Sequence, residues 1–400
     1  MTLFRSATLA ALALTSAVPL AAKAPDPAPF DKGVVSAADP RAAEAGAEIL
    51  RKGGNATDAA LAVLLALTVV EPQSSGIGGG GFLVLDDGKG HLMTLDGREK
   101  APKAATQDWF KVGDRYLPTA EAIPGGKSVG VPGNVSMMAE AHRLHGKLKW
   151  REIFQPAIRL ARDGFVVSER LTAFLDRFAT TGALSEEGRA LYYPGGKPVA
   201  AGTLLKNPRL AAFLERLSRE GTKAFYAGQN AAAIVDAVNN APRNRSAMTL
   251  TDIASYRAKT RPPVCANYRK YRLCGMGPPS SGATTVFGAL GILEKFDLPG
   301  LGKDSPTAWH LIVEAQRLAY ADRERYLADP DFVDVPVAGL LAPDYLAARA
   351  QLVSAERTMP TVAPGNPAGV KVALADGPRQ VENGTSHFAV IDRNGMAATL

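Results

Sequence analysis

The sequence predicts a mixed α/β fold. Helical stretches alternate along the chain with short strand-like runs and Gly/Pro-rich loops. No internal repeat or long low-complexity linker interrupts that alternation. The 400 residues are 46% hydrophobic and 21% charged, an ordinary globular composition with enough apolar material for a core that needs no staples. Length alone allows two or three domains or one large α/β unit.

Taken in order, the chain opens with a short, positively charged stretch, Met1 to Arg5. An almost entirely apolar run from Ala7 to Leu20 follows, and then the small residues Ala21, Ala22 and Ala24. That pattern predicts a secretory signal peptide over 1–24, removed near Ala22. The apolar run is short for a membrane span. The expectation is a soluble, periplasmic or secreted protein with no membrane association after signal removal.

Asp39-Pro40 reads as the N-cap and first residue of a helix, closed by Gly53-Gly54. Thr57 is positioned to cap the next helix, which runs to about Val70 and has so little polar face that it belongs in the core. Ser74-Ser75-Gly76 and a glycine run to Gly81 follow. Phe82 to Leu85 and Leu92 to Leu95 then read as a hairpin around Asp86-Asp87-Gly88. Helices dominate from about Ser136 to Asn239. Val264 to Gly275 reads as a second hairpin, and Ala308 to Leu327 as a long helix ending before Asp329-Pro330. Near the end, His387 to Ile391 reads as a strand, Asn394-Gly395 as a hairpin turn, and Met396 to Leu400 as the start of the return strand. A chain that stops inside a strand reads as a piece of a longer protein.

Net charge is +7, but the basic residues are scattered. The densest cluster, Tyr268 to Arg272, interleaves aromatics with cations as an RNA binder would, yet it sits at a hairpin turn, so no nucleic-acid partner is expected. The two cysteines, Cys265 and Cys274, flank that turn. If it centres on Arg269-Lys270 they face each other, and export permits a disulfide there; two free buried thiols are the alternative. Two cysteines alone make no zinc site, and no cofactor or metal is expected.

Several motifs fail on context. Gly76 to Gly81 satisfies G-x-G-x-x-G, but a helix precedes it and a strand follows, the reverse of a dinucleotide site. Gly125-Gly126-Lys127-Ser128 resembles the tail of a phosphate loop, but Glu121 stands where the first glycine is required. His142 and His145 could share a helix face but have no third ligand nearby. Neither H-E-x-x-H nor G-x-S-x-G is present. Arg98, in Asp96-Gly97-Arg98-Glu99-Lys100, could clamp a substrate carboxylate with two parallel hydrogen bonds, although a solvated salt bridge with Glu99 or Asp96 is the commoner reading from position alone.

Gly384-Thr385-Ser386-His387 has coherent chemistry. Glycine permits strained backbone geometry, so a threonine that follows it can attack the preceding carbonyl. Cleavage would leave Thr385 as a new N-terminus, with a hydroxyl nucleophile and an α-amine general base on one residue. Such a chain needs no separate catalytic histidine.

Seven blocks in order resemble the γ-glutamyltransferase family, the resemblance running from about Gly33 to Leu400. They are Gly54 to Ala60, Gly78 to Phe82, Asp96 to Glu99, Gly130 to Gly133, Pro278 to Gly282, Tyr320 to Arg323, and Thr385 to His387. The resemblance implies a four-layer αββα N-terminal-nucleophile hydrolase fold. It implies a precursor that cleaves itself between Gly384 and Thr385 into a large subunit, here 25–384, and a small subunit that starts with 385–400. It implies attack by Thr385 on γ-glutamyl amides such as glutathione, with water, an amino acid or a peptide as acceptor. Arg98 matches the arginine that holds the substrate α-carboxylate, which reverses the salt-bridge preference. Glu99 would be its neighbour in the site, and His387 a structural support. Phe388-Ala389, Met396 and Ala398 depart from the family pattern. The family's oxyanion glycines, paired serines and α-amine ligands lie in the small subunit, of which only Thr385 to Leu400 is present. The expectation is therefore an incomplete, inactive fragment of a longer enzyme. Two alternatives stand beside it: an acylase for β-lactam side chains or another amide on the same fold, and a non-catalytic secreted binding or scaffold relative.

Overall fold

The computed structural model describes residues 33–370 and 384–400. The expected signal peptide therefore lies outside the described residues. The elements that position the site begin with strand β1 (Val34–Ser36) and helices α1 (Pro40–Arg51) and α2 (Ala56–Val70). Strands β2 (Phe82–Asp86) and β3 (Leu92–Asp96) follow, then helix α3 (Asn134–His145). After a helical stretch that includes α4 (Glu169–Arg177) come β4 (Lys259–Arg261), β5 (Val264–Tyr268) and β6 (Tyr271–Gly275). Helices α5 (Gly282–Leu293), α6 (Pro306–Tyr326) and α7 (Pro343–Ala350) form a second region. The final hairpin is β7 (Ala389–Ile391) and β8 (Ala397–Thr399).

Six strands make one antiparallel sheet in the order β1-β7-β8-β2-β3-β4. The terminal hairpin thus inserts at the centre of the sheet: Val390 pairs with Val35 on one side and Ala398 with Leu85 on the other. Alternation sorts the side chains. Leu83, Leu85, Leu95, Val390 and Ala398 are fully buried in the main core. Phe82, Val84 and Thr399 point to the opposite face, where they line a cavity.

Every residue of α2 is buried, as its nearly uniform apolar sequence requires. Its cap differs from the one expected. Asn55, not Thr57, is the N-cap: its side chain accepts from Asp58 N at 3.0 Å, and Asp58 accepts from Asn55 N at 3.2 Å. This reciprocal pair satisfies two orphan amides at once, whereas Thr57 lies inside the helix. Asp39 caps α1 as expected, accepting from Arg41 N at 2.8 Å.

The second region has a smaller core of its own. Ile292 and Leu293 of α5 pack with Leu311, Ala315 and Leu318 of α6 and with Leu346 and Ala350 of α7. The long helix runs Pro306–Tyr326, capped by Ser305 and therefore beginning two residues earlier than its apolar pattern suggested. In the second hairpin Tyr268 pairs with Tyr271 around Arg269-Lys270, and Cys265 stands opposite Cys274 with the two sulfurs bonded. His142 bonds Leu148 O at 2.8 Å and meets the Trp150 ring edge-on, so it is a packing residue rather than half of a metal pair. No helix among the described residues is long and apolar enough to cross a membrane.

Candidate active site

A cavity of about 840 Å³ opens where the two regions meet. Thr385, Ser386 and His387 line it, four residues before β7 begins, with Arg98, Glu99 and the glycine run Gly76 to Gly81. Met276, Ser280, Gly282 and Ala283 close the far side from the start of α5. The chain therefore brings together the residues that its sequence singled out from positions nearly three hundred apart.

Gly384 has φ +106°, a conformation that residues with a Cβ rarely adopt. It lies between two neighbours. A Cβ at this position would stand 3.2 Å from the Phe174 ring and 3.6 Å from Ser74 Oγ. Ser74 is fixed by the turn that ends α2, where its amide and that of Ser75 bond Glu71 O at 3.0 and 3.1 Å. Beneath this turn, Glu71 accepts from Arg170 at 3.2 Å and Gln73 at 2.8 Å. Burial raises the Glu71 pKa, only partly offset by Arg170. Arg170 in turn lies over the Phe174 ring, 5.1 Å from its centroid, tying α4 to the same corner.

The glycine run is a close-packed corner, not a phosphate loop. Gly79 O accepts from Gly133 N and Asn134 N, each at 3.0 Å, and Asn134 Nδ2 donates to Gly76 O at 2.7 Å. A Cβ on Gly80 would stand 2.6 Å from both Glu99 N and Gly97 O. Only glycine admits that approach. The Glu99 carboxylate folds back against Gly79 and Gly80, which places it on the loop.

Arg98 is exposed, its guanidinium 5.8 Å from the Phe82 ring centroid. Among the described residues it makes no salt bridge. Asp96 is instead engaged by Arg261, Nε to Oδ2 at 2.7 Å, and accepts from Arg98 N at 2.9 Å. The salt-bridge reading of Arg98 thus loses its partner, and the cation is left facing the cavity. His387 is exposed in the cavity rather than buried beneath it, which does not match a supporting role. Sequence reasoning passed over Asn134, Ser74 and Ser75. Ser74 Oγ, Ser75 Oγ, Asn134 Oδ1 and Ser386 Oγ are buried without a hydrogen-bond partner among the described residues, and all four residues line the cavity. Their signal lay in the glycine-rich blocks, which the sequence marked without assigning roles.

The gamma-glutamyltranspeptidase family model matches residues 42–400. The chain belongs to this family. It is 36% identical over 375 residues to a glutathione hydrolase proenzyme of Bacillus subtilis, covering 91% of this chain and 62% of that protein. It is 38% identical over 337 residues to the acylase ACY 1 proenzyme of a Pseudomonas strain, covering 83% and 60%. Among solved structures, Helicobacter pylori gamma-glutamyltranspeptidase superposes with a TM-score of 0.81 at 34% identity, over 85% of this chain and 98% of that one. A cephalosporin acylase from Bacillus halodurans gives 0.79 at 28% identity, over 96% and 68%. The chain thus spans about three-fifths of the length of these curated relatives. The fold is that of the N-terminal-nucleophile hydrolases in these structures, and the described residues supply one six-stranded sheet, smaller two-stranded pairings and a helical cover.

Proposed function

We propose that this chain is the first part of a self-cleaving γ-glutamyl hydrolase or transferase with Thr385 as nucleophile. The observation that carries the reading is the placement of Thr385, behind a glycine held at positive φ, in one cavity with the unpaired guanidinium of Arg98. In the first reaction Thr385 Oγ adds to the Gly384 carbonyl carbon. The Gly384–Thr385 C–N bond breaks, the nitrogen taking the hydroxyl proton, and an ester remains. Water then cleaves the ester, leaving a carboxylate on Gly384 and a free α-amine and hydroxyl on Thr385. In the second reaction that amine, with an ordinary pKa of about 8, takes the hydroxyl proton as Oγ attacks a γ-glutamyl amide, and passes it to the departing amine. Water or an amino-acid or peptide amine then accepts the γ-glutamyl group. Arg98 holds the substrate α-carboxylate through paired hydrogen bonds. The relatives named glutathione hydrolase support glutathione as a donor.

Thr385→Ala in the full-length protein is expected to abolish both chain cleavage and turnover, read by intact mass and release of a γ-glutamyl anilide. A cleaved mutant would remove Thr385 from the mechanism. The relatives named acylase favour a second reading, an amide acylase on the same fold. Competition between a γ-glutamyl anilide and a glutaryl amide separates the two, since both offer a carboxylate but only one carries an α-amine. We also assign 1–24 as an export signal and a periplasmic or secreted location; a mature N-terminus near Ala22 tests this.

A further inference from the structure

The Arg98 peptide is held from both ends by side chains that no part of the proposed chemistry uses. Its N–H donates to Asp96 Oδ1 at 2.9 Å, and its carbonyl accepts from Tyr256 Oη at 2.6 Å. Neither partner is free to drift. Asp96 is almost fully buried and receives Arg261 Nε at 2.7 Å. Arg261 also reaches Asp331, at 3.3 Å to each carboxylate oxygen, and Asp331 pairs with Lys259 as well. Tyr256 is buried, stacked on Tyr226 with rings 5.0° apart in plane and 6.0 Å between centroids. Burial, and then the nearby Tyr226 and Asp96, raise its pKa, so its hydroxyl stays a proton donor at any working pH. The Arg261 charge is opposed by burial but more than restored by Asp96 and Asp331.

The result is a chain of contacts from exposed Asp331, beyond the end of α6, through partly buried Arg261 and buried Asp96 to the Arg98 amide, with buried Tyr256 fixing the carbonyl. The Arg98 side chain leaves this anchored peptide toward the cavity, with the Phe82 ring beneath it. A guanidinium that must meet a carboxylate with two parallel bonds loses binding energy for each degree of freedom left open in its base. We propose that Tyr256 and Arg261 are positioning residues that set donor affinity through Arg98. The proposal rests on the reading of Arg98 as the carboxylate clamp.

The test is a double-mutant cycle in the full-length, processed enzyme with a γ-glutamyl anilide as donor. Tyr256→Phe removes one hydroxyl and keeps the ring stack. It is expected to raise donor KM about three- to tenfold, the worth of one buried hydrogen bond, with kcat moved less than about twofold. Arg261→Lys, which keeps a charge near Asp96, is expected to raise KM less than Arg261→Ala. The deciding readout is coupling: in an Arg98→Ala background, Tyr256→Phe is expected to add nothing further to KM. If the two effects instead multiply, Tyr256 acts through something other than Arg98 and the proposal falls. A Tyr256→Phe enzyme with unchanged KM overturns it too. If Arg98→Ala alone leaves KM unchanged, it is the clamp reading that fails, and the positioning proposal falls with it.

Discussion

The two regions that meet at the cavity are built to different standards. The side that carries Thr385, Arg98 and the glycine run rests on α2, buried along its whole length, and on a six-stranded sheet that buries Leu83, Leu85, Leu95, Val390 and Ala398 completely. The facing side, Met276 to Ala283, rests on the smaller core between α5, α6 and α7, where Phe296, Ile312 and Tyr345 are only partly buried. Between them run the Arg261 and Lys259 ion pairs to Asp331. The comparison teaches where tolerance is low. Thr385 and Arg98 stand on the close-packed side of the cavity, and Met276, Ser280, Gly282 and Ala283 line it from the more loosely packed side.

The largest expected difference comes from one substitution made in both cores. Leu65 is 0% exposed and Leu318 about 1%. Around Leu65 every neighbour on α2 is buried, so Leu65→Ala is expected to cost about 4–5 kcal/mol. Around Leu318, partly exposed side chains can settle into the space, and about 2–3 kcal/mol is expected. Urea unfolding of both variants checks this. Equal losses would mean that the cores are packed alike and that the contrast between the regions is only one of size.

Next come two glycines on the close-packed side. A Cβ on Gly133 would overlap the Gly97 carbonyl and the Tyr256 hydroxyl, and the backbone oxygen cannot yield. Gly133→Ala is expected to cost about 3 kcal/mol and to raise donor KM by disturbing Tyr256. A Cβ on Gly78 meets nothing within 4 Å, so Gly78→Ala is expected to stay within about 0.5 kcal/mol of the parent. Thermal melts of the pair separate a glycine required by packing from one that is merely present in the run.

Much of this was legible in the sequence, for physical reasons. The burial of α2 follows from fifteen residues with almost no polar face, and the hairpins follow from alternation around turn residues. The glycine–threonine junction drew attention to Thr385 through its chemistry and through the family resemblance, and the structure places that residue in the cavity with Arg98. The α2 cap was misplaced because Asn55 and Thr57 are both good cap residues, and only the reciprocal bond with Asp58 decides between them. The anchoring of Arg98 was not legible at all. It depends on Tyr256, Arg261 and Asp331, which reach it from 158 or more residues away, a distance at which local patterns carry no signal.

The smallest expected effect probes the turn at the end of α2, on the close-packed side. Glu71 is buried beneath the Ser74 turn, and burial raises its pKa despite Arg170 and Gln73. A carboxyl whose folded pKa lies above its unfolded value binds its proton more tightly when folded. Its contribution to stability is therefore complete below about pH 4.5 and is lost as pH rises through the folded value. Glu71→Gln removes this titration while keeping the shape. The gap in melting temperature between parent and variant is expected to move in the variant's favour as pH rises from 4 to 7 (about three units of pH). Movement the other way would mean that the Arg170 ion pair outweighs burial, and that this corner is held by charge as well as by packing.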